Sequence, residues 1–161
     1  MKKAAWIALL LALCAALCAC QKKTDAVPAC SDAAAAMLAS QETAEMTELS
    51  ATKIAKYLLI DETLYTDAAV YIDASRATAE CVCVFTAKDG ESLAAVQAAL
   101  SDYCQTQLEQ YRDYRPDEAP KLETALKMKT RGMQTVLAVV PDPAAAETAL
   151  DAIWNGQETA K

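Results

Sequence analysis

Cysteines are the side chains best able to do chemistry in this sequence of 161 residues, which contains seven of them and no histidine. Without histidine, the chain lacks the usual general base at neutral pH, the serine–histidine and cysteine–histidine nucleophile pairs, and imidazole ligands for metals. No spacing among the 22 acidic residues selects a pair of carboxylates for hydrolysis. We therefore expect a protein that is not an enzyme and that holds neither a metal nor a cofactor.

Cys20 has the sequence context of a lipid-modified cysteine. Two lysines precede an uncharged apolar run over positions 4–19, which is shorter than the roughly 20 residues needed to cross a membrane and is followed at once by "QKKTD". Leu17, Ala19 and Cys20 resemble the lipobox of bacterial lipoproteins, in which a leucine and a small residue precede the modified cysteine. This pattern predicts a signal peptide at 1–19 and lipidation of Cys20. The alternative is an ordinary cleaved signal that leaves Cys20 as a free thiol.

The charge of the mature chain limits its partners. Removal of residues 1–19 takes away two lysines and leaves 13 basic and 22 acidic side chains, a formal charge of −9. This balance disfavours nucleic acid, which requires clustered basic residues, and it disfavours electrostatic docking on anionic lipid. We therefore expect membrane contact only through lipid on Cys20, with the chain held at the extracytoplasmic face of the cell membrane.

Three further cysteines are expected to lie close together. Cys81 and Cys83 are two apart on a predicted strand and share one face, and Cys104 lies on the apolar stripe of the helix expected to cover that face. They are either buried thiols or partners in a disulfide from Cys104 to one of the strand pair, which an extracytoplasmic location permits. Cys30 falls in a predicted tether and is the odd thiol.

The segment "YRDYRPDE" at 111–118 is the one concentrated group of aromatic and basic residues in the sequence. Arg112, Tyr114 and Arg115 are candidate contacts for a partner or ligand, because arginine forks and tyrosines are common anchors. The alternative is that the segment only ends a helix, with its arginines solvated or paired with neighbouring acids.

The domain boundaries follow from composition. Residues 20–44 are small, polar and rich in alanine, and they predict a flexible tether that lifts the domain off the membrane. A short helix at 31–40 is the alternative, although isolated short helices are marginal. The folded domain is predicted at 45–156 and a tail at 157–161.

Hydrophobic periodicity within 45–156 predicts the order α-β-β-α-β-β-α. The predicted elements are a helix within 46–59, strands at 68–75 and 79–87, a helix capped by Asp89 that ends near Tyr114, strands within 123–131 and at 135–140, and a helix before Gly156. Two hairpins, each followed by a helix, predict an α+β domain with a four-stranded, mainly antiparallel sheet and helices packed on one face.

Several of these segments resemble a family of bacterial surface lipoproteins known as domain of unknown function number four-three-five-eight. The similar passages are "VFTAKD" at 84–89, the long helix, "YRPDEAPKL" at 114–122 and the glycine turn with its apolar return strand at 132–142. The resemblance implies this fold and the lipoprotein location, and it brings no activity and no functional residues.

Two functions fit these observations. The leading hypothesis is a non-enzymatic, lipid-anchored protein whose domain binds another envelope protein or acts as its accessory. The alternative is a lipoprotein that binds a small solute in a pocket between the sheet and the helices. Buried polar groups that converge on a cavity would favour the solute, whereas an exposed apolar patch would favour a protein partner.

Overall fold

The structure, a computed structural model, describes residues 26–125 and 127–159. Within those residues the chain forms five α-helices, a 3-10 helix and five strands. In chain order they are α1 (Cys30–Ala39), β1 (Met46–Glu48), α2 (Ala51–Leu58), the 3-10 helix (Glu62–Leu64), β2 (Tyr65–Asp73), β3 (Cys81–Ala87), α3 (Gly90–Tyr114), α4 (Ala119–Ala125), β4 (Lys129–Arg131), β5 (Gln134–Val139) and α5 (Pro143–Thr159).

The described strands form one antiparallel sheet in the order β1-β2-β3-β5-β4. Both predicted hairpins are present, β2 with β3 and β4 with β5, and β3 pairs with β5 so that Cys83 lies opposite Leu137. The antiparallel α+β fold is therefore confirmed. The prediction of four strands is wrong, because β1 adds a short edge strand on which Thr47 pairs with Ile72.

Helices cover both faces of the sheet, so the prediction that they pack on one face is wrong. The central strand β3 shows why, since every residue from Cys81 to Phe85 is buried. Cys81, Cys83 and Phe85 contact the core formed with α2, α3 and α4, whereas Val82 and Val84 contact the core formed with α1 and α5. A strand that is apolar on both faces needs a cover on each side.

Helix α1 is part of the second core, so the tether predicted at 20–44 is wrong for residues 30–39. Its residues Cys30, Ala33, Ala34 and Met37 are spaced at three and four positions and are buried against the sheet. The Cys30 amide donates a hydrogen bond of 2.7 Å to Asp67 Oδ2 on β2. Burial of Met37 alone contributes roughly 1.5–3 kcal/mol. The folded domain therefore begins before residue 45.

A buried amide, that of Gln134 on β5, joins the parts of this second core. Its Nε2 donates hydrogen bonds to Pro28 O at 2.9 Å and to Thr86 Oγ1 at 3.2 Å. Its Oε1 accepts a hydrogen bond of 2.7 Å from the Trp154 indole on α5. The segment before α1, the sheet and α5 thus share one polar network, in which buried groups are satisfied.

Helix α3 has the predicted boundaries. Asp89 Oδ1 accepts a hydrogen bond of 2.8 Å from the Ser92 amide, which caps the first turn. Its buried stripe runs through Val96, Leu100, Cys104, Leu108 and Tyr111. The helix ends at Tyr114, before Pro116, where a proline ring prevents continuation.

The second half of the domain differs in detail from the prediction. Helix α4, whose Leu122 is buried, occupies the first part of the strand predicted within 123–131, so that strand begins only at Lys129. Helix α5 continues through Gly156 to Thr159, which extends the domain into the predicted tail. Within 26–125 and 127–159, the helices are all too short or too polar to span a bilayer.

Candidate functional site

The predicted cysteine cluster lies in the core beneath α3. Cys81, Cys83 and Cys104 are buried in the same cluster as free thiols, and the Cys104 thiol donates a weak hydrogen bond of 3.4 Å to Leu122 O. Burial raises the pKa of Cys104 to about 12, and a hydrogen bond with Cys81, together with burial, raises that of Cys83. Protonated, inaccessible thiols are poor nucleophiles and poor metal ligands. The lipidation site proposed at Cys20 lies outside the described residues.

The arginines of the predicted contact segment are engaged within the chain. Arg112 pairs with Glu123 at 2.7 Å, and Arg115 pairs with Asp117 at 3.1 Å. Arg115 also donates a hydrogen bond of 2.8 Å to Ala77 O. Tyr114 is 65% exposed and is stacked on Tyr111, with ring centroids 5.5 Å apart. Of the three predicted contact residues, Tyr114 is the one whose side chain is not held in a salt bridge.

A groove of about 360 Å³ lies beside this segment, between α2, the β2–β3 loop and the middle of α3. Its aromatic walls are Tyr57 from α2 and Tyr103 and Tyr111 from α3. The remaining apolar lining residues are Leu49, Leu58, Leu59, Ile72, Ala79 and Ala99. The groove is open to solvent along a rim where Tyr57 is 38% and Leu59 is 82% exposed.

The β2–β3 loop at one end of the groove is organised by the buried carboxylate of Asp73. Its Oδ1 accepts hydrogen bonds from the amide and hydroxyl of Ser75, at 2.8 and 2.7 Å, and its Oδ2 accepts those of Thr78, at 2.8 and 2.9 Å. Burial alone would raise the pKa of Asp73, but these hydrogen bonds outweigh it and lower the pKa to about 2. The Tyr111 hydroxyl holds the far side of the loop through a bond of 2.7 Å to Thr78 O.

Two residues with left-handed backbone conformation border this groove. Leu59, after the end of α2, has φ 58°, and Arg76, in the β2–β3 loop, has φ 57°. They are the non-glycine residues of the described chain with positive φ. Such a conformation costs an L-residue about 1–2 kcal/mol and persists where the surrounding structure imposes it, which is common at functional sites. Both positive-φ residues line the groove, which makes the groove a candidate functional site.

Arg76 presents its guanidinium to the groove. Its Cζ lies 4.6 Å from the centroid of the Tyr57 ring, within the range of a cation–π contact. The salt bridges formed within 26–125 and 127–159 do not include Arg76. Burial raises the pKa of Tyr103, which also lines the groove, so its phenol is neutral.

The buried carboxylates near the groove have partners inside the chain. Lys121 Nζ lies 2.9 Å from Glu80 Oε1 and 3.0 Å from Glu118 Oε1. The other oxygens accept backbone hydrogen bonds, Glu80 from Ala44 at 2.8 Å and Glu118 from Ala79 at 3.0 Å. Burial would lower the pKa of Lys121, but the two carboxylates outweigh it and raise the pKa. These acids are fixed as structural ion pairs.

The buried polar groups around the groove are engaged within the chain. Over the described residues no group of three or more potential metal-ligating side chains comes together, and the buried acids of the groove are occupied by hydrogen bonds. Tyr57, Leu59 and Arg76 were not among the sequence-based candidates. The available signal was weak: "YLLI" at 57–60 continues an apolar run beyond the last buried turn of α2, which leaves Leu59 exposed.

The fold and groove define a class: an α+β domain whose antiparallel sheet is covered by helices on both faces and which carries an open aromatic groove. A family model described as Domain of unknown function (DUF4358) matches residues 39–140, which is 102 of the 161 residues. The chain belongs to this family, as its resemblance predicted. No curated protein and no solved structure matches the chain.

Proposed function

We propose that this chain is a non-enzymatic, lipid-anchored extracytoplasmic protein whose groove binds a segment of another envelope protein. The observation that carries the proposal is the exposed apolar rim of the groove, at Tyr57 and Leu59. Leu59 and Tyr57 adjoin the apolar lining of the groove, and a contiguous exposed apolar surface of this kind is typical of an interaction site.

The extent of the apolar surface favours a polypeptide as the occupant. A small molecule inside the groove would contact Leu59 but cover only part of its exposed surface, and it would not reach Tyr114, which stacks on Tyr111 and does not line the groove. A polypeptide segment can fill the groove with one side chain and cover both flanking residues with its neighbours. Tyrosines that are half-exposed in this way are typical anchors of protein interfaces.

A second candidate function, binding of a small solute, is favoured by the size of the groove. Its volume of about 360 Å³ lies within the range of about 300–1,000 Å³ that is usual for small-molecule sites. The buried polar groups around it are satisfied by the chain itself, so a solute would depend on apolar contacts and few polar ones. Mass spectrometry of material released when the purified chain is unfolded would detect such a ligand.

The proposed location rests on the signal at 1–19 and on Cys20. We expect Cys20→Ala to prevent acylation and to move the protein from the membrane fraction to the soluble fraction, because the acyl chains supply the anchor. Incorporation of a labelled fatty acid and fractionation of cells measure both effects. A Cys20→Ala protein that remains acylated and membrane-bound would rule out this anchor.

Site-specific photocrosslinking in intact cells tests the protein partner. A photoreactive amino acid at position 59 is expected to give a discrete crosslinked protein, and Tyr57→Ala in the same chain is expected to weaken it. The matched control places the same amino acid at Thr148, which is exposed on α5 across the sheet from the groove. Identical products from both positions, or none from position 59, would contradict a groove-bound protein.

A further inference from the structure

We propose that Arg76 makes the groove selective for a carboxylate, so that its ligand is a polypeptide segment carrying a carboxylate beside an aliphatic or aromatic side chain. The inference rests on the proposed function and names the chemistry of its ligand. It follows from the placement of Arg76, the one basic residue among the described residues that line the groove, beside its aromatic and aliphatic lining.

The β2–β3 loop fixes the position of Arg76. The Arg76 amide donates a hydrogen bond of 3.2 Å to Asp73 O, within the loop that the Asp73 carboxylate organises. On the other side, Arg115 holds the carbonyl of Ala77 at 2.8 Å. These hydrogen bonds restrain the backbone on both sides of Arg76 and so fix the position of its Cα atom. The contact of its Cζ with the Tyr57 ring, at 4.6 Å, restrains the guanidinium as well, which reduces the entropy lost on binding.

Arg76 differs from the other basic residues near the groove in its partners. Arg112, Arg115 and Lys121 each form a salt bridge with a carboxylate of the chain, at 2.7 to 3.1 Å. Arg76 instead lies over the face of Tyr57, as does Lys56 with its Nζ 5.7 Å from the ring centroid, but of these two cations Arg76 is the one that lines the groove. A guanidinium stacked on a ring keeps its in-plane N–H groups free, and these match the two oxygens of a carboxylate. In an acidic chain, such an arginine is available to an external anion.

The other lining residues of the groove indicate which chemical group of the ligand lies beside its carboxylate. Tyr103, Ile72 and Ala99 offer apolar surface to an adjoining side chain. Asp102, exposed on α3, also lines the groove, and it would repel an anion placed on its side. The carboxylate is thereby directed toward Arg76 and the apolar group toward α3. Because Leu59 at the rim is 82% exposed and Tyr114 lies outside the lining, the apolar surface is larger than the cavity, and the carrier is a polypeptide.

The test uses the full-length chain in detergent and a library of short random-sequence peptides, synthesised both as C-terminal acids and as C-terminal amides. We expect the bound peptides to be enriched in a carboxylate next to a large apolar residue. Loss of binding in the amide form would assign that carboxylate to the peptide terminus, and retention to an aspartate or glutamate side chain. Both results support the proposal, because the chemistry is shared.

Substitutions of Arg76 then test whether this residue binds the carboxylate of the peptide. Arg76→Gly is expected to weaken the selected peptides about tenfold or more, the effect of losing one charge-assisted hydrogen-bonded pair. Because glycine suits the backbone at this position, the loss cannot be assigned to misfolding. Arg76→Lys is expected to restore only part of the affinity, because lysine lacks the fork. The control Lys53→Ala removes an exposed charge of α2 that does not line the groove, and it should leave binding unchanged.

The failures of the two proposals are distinguishable. If Arg76→Gly binds the selected peptides within twofold of the unaltered chain while Leu59→Ser or Tyr57→Ala abolishes binding, the groove binds polypeptides and the carboxylate inference is wrong. If none of these three substitutions changes binding, or the library yields no binder, the groove is not a polypeptide site and both proposals fail.

Discussion

Asp73 determines, at the scale of single residues, how the groove is built. One buried carboxylate accepts hydrogen bonds from Ser75 and Thr78 and so shapes the loop that carries Arg76. Burial of a charge is unfavourable unless hydrogen bonds compensate it, and here the low pKa shows that they do. The residue therefore links the stability of the domain to the position of the guanidinium.

Replacement of this carboxylate should have an effect that depends on pH. Asp73 has a pKa of about 2 in the folded chain against an ordinary value of 3.8, so its contribution is present above pH 4 and is lost as the pH falls through 2. We expect Asp73→Asn to lower the free energy of unfolding by roughly 2 kcal/mol at neutral pH, and by progressively less below pH 4. Denaturant titrations at several pH values measure this; a difference independent of pH would contradict it.

The strained backbone of Arg76 leads to an unusual prediction for a glycine substitution. Arg76→Gly is expected to stabilise the domain by roughly 0.5–1 kcal/mol, because glycine adopts positive φ without the clash of a Cβ atom. The same change in a helix has the opposite sign, so Arg112→Gly in α3 should destabilise by about 1 kcal/mol. Denaturant midpoints of both variants compare the two, and a destabilised Arg76→Gly would show that the residue is not strained.

Among the secondary-structure elements, helix α1 differs most from the sequence-based prediction, because it packs on the sheet where a flexible tether was expected. Its contact with the sheet is made largely by alanines, which allow the helix backbone to approach closely. Pro28 and Cys30 fasten its start through hydrogen bonds to Gln134 and Asp67. The second core is therefore closed by a helix that carries few large apolar residues.

Neighbouring alanines in α1 offer a sharp test of this packing. Ala34 is fully buried and Ala35 is exposed, so the same substitution can be made one residue apart. Ala34→Leu is expected to destabilise the domain by about 1–3 kcal/mol through overpacking, and Ala35→Leu to change it by less than about 0.5 kcal/mol. Denaturant unfolding measures both. Equal, negligible effects would mean that the segment is a tether after all.

Sequence periodicity predicted the elements with long stripes of large apolar residues and missed those without them. The boundaries of α3 followed from Asp89, its apolar stripe and Pro116. Helix α1 corresponds to the helix at 31–40 that was the alternative to a tether, and it was not preferred because its buried alanines do not stand out from an alanine-rich segment. Its spacing of Cys30, Ala33 and Met37 was nevertheless readable as a helical face.

Other features depend on contacts between distant parts of the chain. "CVCVF" at 81–85 is apolar on both faces, which is typical of a strand covered on both sides, and this signal was available in the sequence. The groove was less accessible to prediction. It depends on the backbone conformation of Leu59 and Arg76, which no local pattern specifies, and on the meeting of three elements around them.

At the scale of the whole molecule, the buried thiols report on global unfolding. Cys30, Cys81, Cys83 and Cys104 are buried in the described structure, in two cores on opposite faces of the sheet. We expect these thiols to resist a thiol reagent in the native chain and to react together when it unfolds, because both cores share β3. An exposed reporter, Gln105→Cys, should react at once. A lower thiol count in the unfolded chain without reductant than with it would instead show a disulfide.

The hydrogen bond between Gln134 and Pro28 also sets a distance. If lipid is attached at Cys20, the chain leaves the membrane surface there and is already fastened to the sheet eight residues later. Whatever its conformation, that stretch spans at most about 28 Å, whereas the predicted tether from 20 to 44, with 25 residues, could have spanned about 85 Å. With lipid on Cys20, a linker this short would keep the domain close to the lipid headgroups. The accessible partners would be proteins whose binding segments lie close to the bilayer surface. The groove could not contact proteins farther from the membrane.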